Sequence, residues 1–244
     1  MKALLLLTTL AIALPAQALL IRADRDDAEY REMAERYPSA LDLGPAGSGA
    51  LIAPQWILAT ATGAKSLAAK EPSVTIRGKT YAVASVHAHP KARAGQPENL
   101  ALIRLKEAVR DVEPTKLYRK DDEAGLTMIY VGHGPTGKIG APERRRDGHA
   151  RAAVNTVDRL SPLTLSVMIK HNEEASDLQG VLVPGEEGAP TYIDGKEGIF
   201  LAGLYHGDVT VWNLFSRLSA FVPWIEATML DSEREAAAKL LGGE

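Results

Sequence analysis

The chain reads as an all-β protein of the sandwich or barrel type, divided into two similar β units. Three observations predict it. Short apolar runs rich in Val, Ile, Leu and Thr recur between residues 49 and 218, punctuated by Gly, Pro, Asn and Asp. No helical crossover stands between them, which argues against a parallel α/β sheet. The polar stretch DVEPTKLYRKDDEAG (111–125) parts the runs into two sets and serves as a linker.

The elements follow in order. MKALLLLTTLAIALPAQA (1–18) has a lysine, an apolar core from Ala3 to Leu14, Pro15 and a small-x-small ending. That is the layout of a signal peptide cleaved after Ala18, so the protein is expected to be secreted or periplasmic. Its apolar run is shorter than the roughly 20 residues a membrane span needs, and no other stretch is long enough. DRDDAEYREMAERY (24–37) places acids first and apolar positions at Tyr30, Met33, Ala34 and Tyr37, which predicts a short amphipathic helix stopped by Pro38.

Strands are predicted at GALIA, WILATA, SVTIRG, KTYAVASVHA and LALIRL before the linker. After it come LTMIYVG, RAAVNTV, LTLSVMI, PTYID, GIFLAGLYHG and VTVWNLFSRL. From Pro223 to Leu241 the apolar period becomes helical, with Ala, Glu and Leu prominent and a Gly-Gly stop. The expected organisation is therefore a signal peptide (1–18), an N-terminal segment with a short helix (19–38), a first β unit (39–118), a second (119–222), and a C-terminal helix and tail (223–244).

Composition narrows the function. With 244 residues, 45% hydrophobic and 24% charged, the chain is globular. A formal net charge of −3 gives no basic footprint for nucleic acid. The absence of cysteine removes thiol nucleophiles, thiolate metal sites and disulfides, leaving burial alone to hold an exported domain together. No cofactor is expected. His87 and His89 alternate on one strand face, where i, i+2 spacing permits joint metal ligation, but no further ligand accompanies them and they read as strand histidines. No metal site is assigned.

Four segments, in order, resemble the trypsin/chymotrypsin-like serine peptidase family. GSGALIAPQWILATATGA (47–64) resembles the segment that ends Trp-Val-Leu-Thr-Ala-Ala-His-Cys, and ENLALIRL (98–105) resembles Asp-Ile-Ala-Leu-Leu-Arg-Leu. PGEEGAPTYI (184–193) is similar to the nucleophile turn Gly-Asp-Ser-Gly-Gly-Pro, and FSRLSAFVPWI (215–225) to the closing stretch before the terminal helix. NTVDRL (155–160) and LQGVLVPG (178–185) resemble the bacterial trypsin-like branch. The resemblance implies two antiparallel six-stranded β-barrels with a C-terminal α-helix.

It also implies a lost triad. The histidine position is Thr62, the aspartate position Asn99 and the serine position Glu187. Threonine offers no nitrogen that could accept a proton and return it. Asparagine cannot stabilise an imidazolium by charge, and a carboxylate is a poor acyl acceptor that repels an oxyanion. Gly185 stands at the oxyanion-hole position and Val181 at the base of the specificity pocket, where an apolar residue favours apolar or small side chains. In the family the residue at 186 turns inward toward a chain terminus made by processing; here it is a glutamate, and LLIRADRD lacks the usual Ile-Val-Gly-Gly start.

Other chemistry is weaker. Glu186 and Glu187, adjacent on a tight turn, point apart and do not make a glycosidase pair, whose carboxyls flank the substrate. His206 falls on the strand lining the family's cleft and reads as a contact residue, and ERRRDGHAR (143–151) reads as a solvated basic loop or an acidic-partner contact. The expected function is that of a catalytically inactive homologue binding a protein or peptide in the inter-barrel cleft. The alternative is an active serine-type endopeptidase or esterase with a non-standard constellation. One geometric expectation follows: the Glu187 carboxylate folds back onto the turn's own N–H groups.

Overall fold

The computed structural model describes residues 19–67, 71–143, 145–170 and 174–241, so the predicted signal peptide lies outside the described residues. The chain begins with β1 (Leu20–Ile21) and α1 (Asp27–Ala34). A first sheet follows: β2 (Ala40–Asp42), β3 (Ser48–Ala53), β4 (Trp56–Ala59), β5 (Ser73–Ile76), β6 (Lys79–Ala88) and β7 (Ala101–Leu105), with the one-turn helix α2 (Ala61–Ala64) after β4. Its strand order is β2-β3-β4-β7-β6-β5, antiparallel throughout.

The second half supplies β8 (Lys116–Leu117), β9 (Thr127–Gly132), β10 (Gly137–Lys138), β11 (Arg151–Thr156), β12 (Arg159–Leu160) and β13 (Thr164–Met168). Then come β14 (Gly180–Val181), β15 (Pro190–Gly195), β16 (Gly198–Val209), β17 (Trp212–Arg217) and the terminal helix α3 (Val222–Leu241). The main path runs β11-β9-β15-β16-β17-β13-β12, with β8 parallel to β16. The architecture is all-β: a nearly closed six-stranded barrel, a half-barrel and a C-terminal helix.

Patterning explains the strands. In β5 the burial alternates, with Val74 and Ile76 inward, as a half-buried strand requires. β4 is buried at every position, because one of its faces fills the first unit and the other meets the second. Leu51, Ile57, Ile103 and Tyr81 fill the first unit; Tyr130, Leu165, Tyr205 and Phe215 fill the second. A third core of Trp56, Leu58, Leu102, Tyr192, Leu204 and Ile225 joins both units to α3.

The N-terminal segment packs on the second unit. β1 lies between β10 and β14. The helix is shorter than the predicted 24–37: an Asp26/Glu29 capping box starts it and the backbone turns after Ala34. The basic run 143–151 is partly core, because Arg151, 1% exposed, reaches Asp27 of α1 at 2.7 Å and Asp147 at 2.6 Å. Arg145 and Arg151 of that run both pair with Asp27 of the chain's own helix. The linker is likewise anchored: Glu123, fully buried, accepts from Arg217 at 2.7 and 3.0 Å and from Ser219 at 2.6 Å.

Candidate functional site

The cleft is built from the end of β4 upward. Thr60 caps α2, its hydroxyl accepting from Gly63 N at 3.1 Å, and this fixes Thr62 in the first turn with an exposed side chain. Asn99, 2% exposed just before β7, takes its N–H to Gln96 O and its carbonyl to Ala61 N. Its side chain then closes on Thr62 twice, with Oδ1 accepting from Thr62 N at 3.0 Å and Nδ2 donating to Thr62 Oγ1 at 2.9 Å. The two positions form a reciprocal pair.

The turn 184–188 comes to the same place. Gly185 and Gly188 take φ of +104° and +87°, left-handed values that favour glycine. Gly188 N donates to Tyr205 O at 2.8 Å, hanging the turn on β16, and Glu187 O accepts from Ser48 N at 3.4 Å. A Cβ at Gly188 would stand 2.2 Å from Ser48 O and 3.4 Å from Thr60 Cγ2, so the turn rests directly on β3 and on the cap of α2. Thr62 and Asn99 therefore meet directly, and the Glu187 turn rests against Ser48 and Thr60 at the start of the same short helix.

Within the turn, Glu187 Oε2 accepts from Gly185 N at 3.0 Å. The side chain folds back onto its own turn as expected, meeting one of the turn's N–H groups, that of Gly185. Val181, 8% exposed, lies in β14 opposite Leu20 of β1.

Glu186 points the other way, into the protein. It is 1% exposed, and its carboxyl accepts from Gly134 N at 2.8 Å and from Leu19 N and His133 N at 3.3 Å each. Burial pushes its pKa up to about 7, against the opposing pull of these N–H donors. Leu19 itself is 1% exposed, seated where a Cβ on Gly132 would come within 3.0 Å of its Cβ, and one on Gly180 within 2.9 Å of its Cδ1. The two glycines shape its hole.

No family model matches the chain, and no curated protein matches it.

The remaining histidines divide. His87 bonds Ser85 Oγ at 2.8 Å beside Trp56, and His89 packs edge-on against Phe221 and Trp224, so the two rings serve separate contacts. Among the described residues no group of three His, Asp or Glu side chains could hold a metal. His206 sits at a break in register between β16 and β17 and is 4% exposed; burial lowers its pKa. Leu19 as the partner of Glu186 was missed in the sequence. Its signal was the Ala16-Gln17-Ala18 ending immediately before it.

Proposed function

We propose that this protein is an exported trypsin-like pseudopeptidase, which keeps the scaffold and cleft of the peptidases and binds a protein or peptide there without cleaving it. The observation that carries the reading is the closed polar arrangement at the three triad positions. Thr62 and Asn99 satisfy each other, and Glu187 holds the Gly185 amide. Thr62 and Asn99 carry no group that accepts and returns a proton, and the amide that would receive an oxyanion already receives a carboxylate.

Export rests on residues 1–18, with cleavage after Ala18 into a secreted or periplasmic setting. The position of Leu19 N beside the Glu186 carboxyl supports it, because cleavage there would turn a neutral amide into an ammonium facing a buried carboxylate that otherwise has only neutral donors. A serine-reactive fluorophosphonate probe and a broad peptide library, applied to the purified mature protein, test the reading. No labelling and no cleavage are expected; labelling at a single serine or threonine would establish the rival, an active endopeptidase or esterase. If only the triad has been lost, the combined Thr62→His, Asn99→Asp and Glu187→Ser variant should hydrolyse peptides measurably. A well-folded but inert triple variant would mean that the cleft has diverged as well.

A further inference from the structure

The first sheet ends in two strands that pair on one side only: β2 bonds β3, β5 bonds β6, and among the described residues neither meets another strand. Both line one groove of about 830 Å³, bounded on its far wall by α1 and by Val131 and His133 of the second unit. A strand edge presents alternate N–H and C=O groups; on β2 the Ala40 N–H is already taken by Tyr37 O at 3.0 Å, and the remaining groups of the two edges suit a further extended backbone. β5 runs four residues, about 13 Å at the usual rise, which sets the inserted segment at four or five residues.

The side chains specify the segment. Leu41, Leu43, Leu67, Val74 and Ile76 give the groove an apolar floor. Glu35, Asp42 and Glu71 stand around it, and among the described residues none is ion-paired. Of the two arginines that line the groove, Arg31 lies 3.5 Å from Asp27, whereas Arg77 donates to the neutral carbonyl of Asp111 at 3.4 Å and keeps its charge. Among the described residues of the rim, three carboxylates thus stand against one uncompensated arginine, and the balance is negative.

We propose that the seam between β2 and β5 is a second binding site, separate from the cleft, which takes an extended segment of a partner protein as an added strand. The segment alternates apolar residues, which enter the floor, with lysine or arginine, which meets Glu35, Asp42 and Glu71. This inference stands on the sheet edges and the rim charges and does not depend on the peptidase resemblance.

Fluorescence anisotropy with a labelled, capped peptide, Gly-Val-Lys-Val-Lys-Val-Gly, tests it. Three controls accompany it: the same peptide with glutamate for lysine, the same with proline for the central valine, and the Glu35→Gln, Asp42→Asn, Glu71→Gln variant. The lysine peptide should bind about tenfold or more tightly than either altered peptide, and the triple variant should lose about tenfold in affinity. Hydrogen exchange of the complex should slow at residues 40–42 and 73–76. Absence of binding up to millimolar peptide, affinity indifferent to the rim carboxylates, or protection confined to the turn 184–188 would each overturn the proposal. Because Glu187→Gln alters the cleft and not the seam, it should leave this binding unchanged, which separates failure here from failure of the pseudopeptidase reading.

Discussion

A carboxyl that is 1% exposed and meets only N–H donors holds its proton to about pH 7, as Glu186 does. Its ordinary value is 4.5, so the folded chain binds that proton more tightly than the unfolded one. Stability from this group is fully present below about pH 4.5 and declines as pH rises toward 7, by about 3 kcal/mol across the interval. Urea unfolding at pH 5 and pH 8 should show that decline in a chain extended beyond Leu19 and lose it in Glu186→Gln. In a chain cut before Leu19 the ammonium lowers the carboxyl's pKa, and the decline should flatten. At the cleft, Asn99→Ala strips two partners from Thr62 and should cost about 1–2 kcal/mol, with a double-mutant cycle against Thr62→Ala returning a coupling of about 1 kcal/mol. The order of the motifs that carry them suggested that Thr62 and Asn99 come together, and they do. Arg151 and Glu123 were not legible in the sequence, because a buried ion in one sequence looks like any surface charge until its partner, distant along the chain, is known.

At the level of elements, the long strands were legible and the short ones were not. KTYAVASVHA is β6 to the residue, since its own burial pattern carries the signal. β1, β8, β10, β12 and β14 are two residues each and exist only through the strands they join, which no local period reveals. The close approaches of glycine turn this into expectations. Gly180→Ala would place a Cβ 2.7 Å from that of Ala153 and 2.9 Å from Leu19 Cδ1, and should destabilise by about 1–3 kcal/mol while displacing β1. Gly188→Ala should do at least as much, since its Cβ meets the Ser48 carbonyl at 2.2 Å and its φ is +87°. Chemical denaturation measures both, and amide exchange at Ser48 would report whether the turn has lifted off β3.

For the molecule as a whole, the N-terminal segment is the tie that the sequence left ambiguous. The segment 19–38 precedes the first unit in the chain, yet β1 and α1 lie on the second, held by Arg151 between Asp27 and Asp147. Arg151→Met removes the buried partner of Asp27 and Asp147, which retain Arg31 and Arg145, and should cost about 1–3 kcal/mol. Limited proteolysis of that variant should cut first between residues 22 and 38. The unclosed seam has a different consequence for how the protein keeps company with itself. Bare strand edges are where fibrils nucleate, and Glu35, Asp42 and Glu71 act as guards whose mutual repulsion keeps neighbouring copies from stacking edge to edge. Concentrated solutions should therefore stay clear, and the Glu35→Gln, Asp42→Asn, Glu71→Gln variant should develop thioflavin-positive aggregates.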